Sequence, residues 1–105
     1  MNPRYWATVL IDGAPVTLMP KRAPVGNSGP IRGRALAIFS GAPPAALLEQ
    51  GGAIFSATVE PGRQPAFAVP DLGEPKARDL GRRLGLTEIL FWDGRRARLL
   101  PCDAE

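Results

Sequence analysis

The chain has 105 residues, a length that fits one domain with one modest core. Histidine is absent and Cys102 is the lone cysteine, which excludes imidazole-based catalytic triads, His-ligated metal sites and an internal disulfide. The formal net charge is +3, and Gly and Pro number 12 each. Leu, Ile, Val and Phe nevertheless supply 26 residues, which is the composition of a folded domain with Gly/Pro-rich loops.

From the N-terminus, Tyr5 to Ile11 is β-branched and aromatic, and Val16 to Met19 is a second apolar run. Asp12-Gly13 between them predicts a hairpin, because both central positions of a type I′ turn need positive φ. Pro15 falls at the start of the second strand, where a missing N–H does least harm. Residues 20–34 form the longest irregular segment, with three Pro, three Gly, four positive charges and no acid. Within it, Gly26-Asn27-Ser28-Gly29 is a glycine-containing turn beside four cations, but it lacks the Gly-Lys-Ser/Thr of a phosphate-binding loop.

Ala35 to Ser40 reads as a buried strand. Pro43-Pro44 opens a short helix over Ala45 to Gln50, and Gly51-Gly52 closes it. Ala53 to Glu60 is the next strand, and Pro61-Gly62 turns it toward Ala66 to Val69. A second helix follows. Asp71 or Gly73 caps it, and Glu74 and Pro75 lie in its first turn. Ala77, Leu80, Gly81 and Leu84 form its apolar stripe, and Gly85 ends it. Glu88 to Trp92 reads as a strand buried on both faces. Asp93-Gly94 then predicts a hairpin returning through Arg96 to Leu100. From 35 to 92 the order strand, helix, strand, strand, helix, strand is that of a ferredoxin-like βαββαβ core. The expected class is therefore α+β, one domain over 1–105, with an N-terminal β-hairpin and an extra C-terminal strand.

Three stretches carry a resemblance: Gln64 to Pro70, Ala77 to Gly85, and Ile89 to Trp92. Their Phe-x-Val strand, a helix end like Ala-x-x-Leu-Gly-Arg-Arg-Phe-Gly-Gln and a closing apolar strand resemble the C-terminal half of a family of small bacterial proteins catalogued as a domain of unknown function. The resemblance spans about residues 35–100 by pattern. It implies one bacterial α/β domain and names no activity. Leu86 stands where that family tends to have Gln, and Gly41-Ala42-Pro43 replaces a more polar Asn-Pro segment.

Charge is unevenly distributed. Residues 1–34 carry a net +4, 35–75 a net −3 and 76–98 a net +4. Arg78 and Arg82 share a helix face, and Arg96 and Arg98 share a strand face. Together with Lys21, Arg22, Arg32 and Arg34 they form the expected partner- or anion-binding set. Arginine forks suit carboxylate and phosphate, and a basic surface concentrates anions. The reading weighed against this is a solvated helix face beside a charge-protected edge strand.

The expected function is a non-enzymatic binding or regulatory domain that contacts an acidic partner, protein or nucleic acid, through this basic surface. One alternative is RNA or single-stranded DNA binding on the sheet, with Phe55 and Phe67 as stacking residues. Another is a histidine-free enzyme that uses Arg and a carboxylate. Ser28, Ser40, Ser56 and Cys102 are its candidate nucleophiles, none beside an evident base. Glu88 is expected to pair with Arg96 or Arg98, and Trp6 and Trp92 to be partly exposed. No cofactor or metal is expected. A homodimer through a strand edge fits each reading. The thiol count, the lack of a charged-then-apolar leader and the lack of a membrane-length apolar run predict a cytoplasmic protein. The Arg-, Ala- and Pro-rich composition points to a GC-rich bacterial genome.

Overall fold

A computed structural model describes residues 6–26, 29–49, 53–60 and 62–102. Readings at Tyr5, Asn27-Ser28, Gln50 to Gly52 and Pro61 lie outside these. The strands are β1 (Trp6–Ile11), β2 (Ala14–Leu18), β3 (Leu36–Ser40), β4 (Phe55–Glu60), β5 (Gln64–Pro70), β6 (Glu88–Trp92) and β7 (Ala97–Pro101). The helices are α1 (Ala45–Glu49) and α2 (Glu74–Arg83), and a single 3-10 turn spans Gly29–Ile31. All seven strands join one antiparallel sheet in the order β2-β1-β4-β5-β3-β6-β7, which curls into a half-barrel.

Local sequence accounts for the pieces. Asp12 and Gly13 both adopt positive φ, 53° and 85°, so β1 and β2 close through the two-residue turn that their right-handed twist favours. Gly73 caps α2 and Pro75 enters its first turn. The helix ends in a Schellman motif: Leu86 N–H donates to Gly81 O and Gly85 N–H to Arg82 O.

The alternation of side chains divides the core in two. On the concave face, Ala7, Val9, Ile11, Val16, Leu18, Leu36, Ile38, Val59, Leu90 and Trp92 pack together inside the curl. On the opposite face, Ala37, Phe39, Phe67, Ile89, Phe91, Leu100 and Cys102 lie in a second cluster with Ala77 of α2. Strand β3 contributes to both, so four of its five residues are buried. Gly81 sets the close approach of α2, because a Cβ there would meet Cys102 Sγ at 2.4 Å and Ile89 Cγ2 at 3.2 Å.

The ferredoxin-like α+β expectation is corrected. The architecture is predominantly β, with two short helices among the described residues and no βαββαβ core as its unit. The physical reason lies in the hairpin β1–β2 and in α1. The hairpin is not an appendage, since β1 pairs with β4 from Trp6↔Glu60 to Val9↔Ala57 and lines the concave core. Helix α1 has five residues, none of them buried, so it adds no helical layer. Much of the core is therefore the sheet packed against itself. Trp92 is also corrected: it is buried, and its indole N–H donates to Ile31 O at 2.8 Å. No helix among the described residues is long and apolar enough to cross a membrane.

Candidate functional site

The curl brings the sheet's outer strands, β2 and β7, close to each other. After β2, Pro20 forms an isolated parallel bridge with Ala97, and Lys21 N–H donates to Ala97 O at 3.3 Å. Arg22 N–H then turns back to Met19 O, and Val25 exchanges hydrogen bonds with Thr17 at 2.8 and 2.9 Å. Residues 20–25 are thus a tight finger leaning on β7.

The facing wall is the loop between β6 and β7. Asp93 N–H donates to Arg96 O at 3.0 Å, and Asp93 Oδ1 accepts from the backbone N–H groups of Arg95 and Arg96, both at 2.9 Å. The hairpin read at Asp93-Gly94 is present, but its loop has four residues, with Arg95 inside it. Gly94, at φ 106°, lies against a second loop: a Cβ there would sit 3.0 Å from Gly33 Cα, and Gly33 N–H donates to Gly94 O at 2.9 Å. The Trp92–Ile31 bond pins the same loop from the core side.

Between finger and hairpin lies a groove of about 570 Å³. Lys21, Arg22, Ala23 and Pro24 line one side, and Asp93 and Arg95 to Arg98 the other. A neighbouring depression of about 330 Å³ adds Arg32, Trp92 and Gly94, and shares Arg95 and Pro24 with the groove. Of the expected site residues, Lys21, Arg22, Arg96 and Arg98 therefore come together, with Arg32 alongside. Arg34 does not join them. It forms a two-pronged pair with Asp71, at 3.1 and 2.6 Å, and its guanidinium holds the Asp71 carboxyl below the usual value. Arg78 and Arg82 lie on α2, paired with Glu74 at 3.3 Å and Asp79 at 2.9 Å, and line neither depression. Arg98 pairs with Glu74 and lies 5.7 Å from the centre of the Phe91 ring. Glu88 stands opposite Pro101, so the expected cross-hairpin ion pair is replaced by Glu74 to Arg98.

Arg95 is the site residue that sequence reasoning missed. It lines the groove and the depression, yet strand alternation counted from Arg96 passes over it. The available signal was Asp93, whose short carboxylate favours a turn that accepts N–H bonds two and three residues on.

These two bonds, Arg96 first, hold the Asp93 carboxyl below its usual value of 3.8. A depressed acid contributes stability above its unfolded pKa and loses it as pH falls through the folded value. Asp93→Ala is therefore expected to cost about 0.5–1 kcal/mol at pH 7, less than hydrogen bonds to a charged group usually contribute because solvent screens this exposed site. The cost should shrink as both proteins are taken below pH 3.8, measured by urea unfolding across that range. An unchanged difference at low pH would mean that the carboxylate charge is not what holds the loop.

The other candidate residues lie elsewhere. Phe67 is buried and stacked on Phe39, with centroids 5.2 Å apart, so it presents no face to a base. Phe55 is half-buried against the concave cluster. Cys102 is buried beneath α2. Ser40 is half-buried and Ser56 exposed, on β3 and β4, and neither lines the groove. Among the described residues no charged side chain is buried.

Compared with family models, curated proteins and solved structures, the chain matches none of them.

Proposed function

We propose that the protein is a small binding module whose basic groove holds an acidic stretch of a partner. The observation that carries this is the contrast between two sets of cations. Arg34, Arg78, Arg82, Arg83 and Arg98 each have an acidic partner. Lys21, Arg22, Arg95 and Arg96, which line the groove, and Arg32 in the depression beside it form no ion pair among the described residues; Arg63 and Lys76 share that state but line neither depression. Uncompensated guanidinium groups converging on one concavity repel each other, and an anion relieves that repulsion while pairing with their forks. The sole acid in the groove, Asp93, is occupied with backbone N–H groups. We place the module in the cytoplasm, in keeping with its single thiol.

The test is fluorescence anisotropy with labelled poly-glutamate and labelled single-stranded oligonucleotide, at low and physiological salt. Arg95→Glu/Arg96→Glu is expected to weaken binding at physiological salt at least tenfold, about 1.4 kcal/mol. Arg82→Glu, on the helix, should change it less than twofold. Equal losses from both variants would show that net charge, not the groove, attracts the anion, and would sink the proposal. Attraction that disappears with modest salt for every probe would do the same.

A further inference from the structure

Resting on that reading, we infer that the acidic partner is an extended peptide that adds as a strand along the open part of β7, with one end in the basic groove. The argument begins with the sheet's two edges. The outer edge of β2 is occupied: Thr17 gives and accepts a bond with Val25, and Pro15 has no N–H to offer. Among the described residues the outer edge of β7 is covered at Ala97, and Pro101 offers a C=O but no N–H, so the open main-chain donor is that of Leu99.

Antiparallel ladders alternate bonded and non-bonded pairs, and residues of non-bonded pairs turn their main-chain groups away from the neighbour. Asp93 N–H bonds to Arg96 O and Cys102 N–H bonds to Thr87 O, at either end of the β6–β7 ladder. The register between them makes Phe91↔Arg98 and Ile89↔Leu100 the bonded pairs. Ala97, Leu99 and Pro101 therefore turn outward. Ala97 O accepts from Lys21, which agrees with this phase. The finger then turns away at Arg22, so the N–H and C=O of Leu99 lie beyond it on the open edge.

Side chains at this edge specify the chemistry of an added strand. Arg98 on β7, and Arg96 in the loop before it, alternate with Ala97 and Leu99, so the two cations stand on the face opposite Ala97 and Leu99, the face that also carries Leu100. Ala97 and Leu99 belong with the concave cluster. A strand beside β7 meets these faces residue by residue, with acids next to arginines and apolar groups next to Leu99. Arg98 is already held by Glu74, which leaves Arg96, Lys21 and Arg22 to attract the incoming acids. About three residues, roughly 10 Å at strand rise, would pair between Pro101 and Leu99; Lys21 already holds Ala97, so the peptide leaves the edge there and its acidic end enters the groove. Main-chain pairing supplies affinity and alternate side chains supply selection, as in other strand additions. A nucleic acid has no strand backbone to match Leu99, and Trp92 and Phe91 beside the groove are buried rather than open to bases.

The test uses the full chain and four labelled probes of matched charge: an alternating Glu-Val peptide, the same peptide N-methylated on alternate amides in each of the two phases, and oligo-dT. The Glu-Val peptide is expected to bind at least tenfold tighter than the methylated peptide whose phase blocks pairing, and tighter than oligo-dT. Hydrogen exchange at the Leu99 amide should slow at least tenfold when it binds. Equal binding of the peptides and oligo-dT, all weakened by Arg95→Glu/Arg96→Glu, would overturn strand addition and leave the charged groove standing. Protection of the Leu99 amide by raised protein concentration alone would assign the edge to a second copy and overturn the peptide. No binding of any probe would overturn both readings.

Discussion

Replacing Phe39 with alanine is expected to lower stability by about 3–5 kcal/mol, the range for truncating a fully buried aromatic. Phe39 is fully buried on β3, which has β5 on one side and β6 on the other. Its ring stacks on Phe67 at 5.2 Å, within the cluster that α2 and Ile89 complete. Truncation removes the ring's transfer free energy, loses the stacking contact and leaves a cavity that two paired neighbouring strands cannot readily collapse. A domain of this size has about 5–15 kcal/mol in total, so the variant should be close to unfolded at 37 °C. Urea unfolding at 25 °C checks the value. Phe39→Leu keeps most of the volume and should cost about half as much or less. A loss below about 1 kcal/mol for alanine would mean that the helix-covered face is not tightly packed.

Trp92→Ala should cost a similar amount, about 3–5 kcal/mol, for a different combination of reasons. Its ring belongs to the concave cluster, and its N–H is the donor to Ile31 O at 2.8 Å. Trp92→Phe separates the two contributions. It keeps an aromatic ring in the core but removes one of two donors to Ile31 O, which still accepts from Arg34 N–H at 3.1 Å, so the lost bond is worth about 0.5–1.5 kcal/mol. That carbonyl ends the 3-10 turn Gly29–Ile31, which leads directly into Arg32 of the basic depression. The phenylalanine variant should therefore bind poly-glutamate more weakly while still folding, as circular dichroism and anisotropy on one sample would show. Full affinity with reduced stability would mean that the loop is held by Gly33 and Gly94 alone.

Short-range features were legible in the sequence because their physics is short-range. Asp12-Gly13 announces its turn through backbone conformations few other pairs adopt, and the limits of α2 follow from Gly73, Pro75 and Gly85. The sheet was not legible, because nothing local in β1 states that its second neighbour is β4, about 50 residues on. Pro43-Pro44 correctly started α1, but two leucines in five residues cannot cover a sheet face, so no helical layer formed there. Trp92 looked like a strand end open to solvent because the turn that covers it comes from residue 31.

The candidate site was legible in composition and not in arrangement. Sequence spacing already held the information that sets the α2 arginines apart: Glu74 precedes Arg78 by four, and Asp79 precedes Arg82 and Arg83 by three and four. Those intervals pair the charges on the helix itself. Which remaining cations gather was decided by the curl, which sets the 20–24 finger against the 93–98 hairpin.

That seam has a consequence for the order in which the molecule is made. The groove's walls are about 70 residues apart in the chain, and β1 and β2 leave the ribosome long before β6 and β7 exist. Until the last hairpin docks, Lys21 and Arg22 have no opposite wall, and Ala97 is not there to anchor the finger. The two walls can therefore meet only once β7 has been made, and a chain cut short before it would carry six of the seven strands and no closed groove.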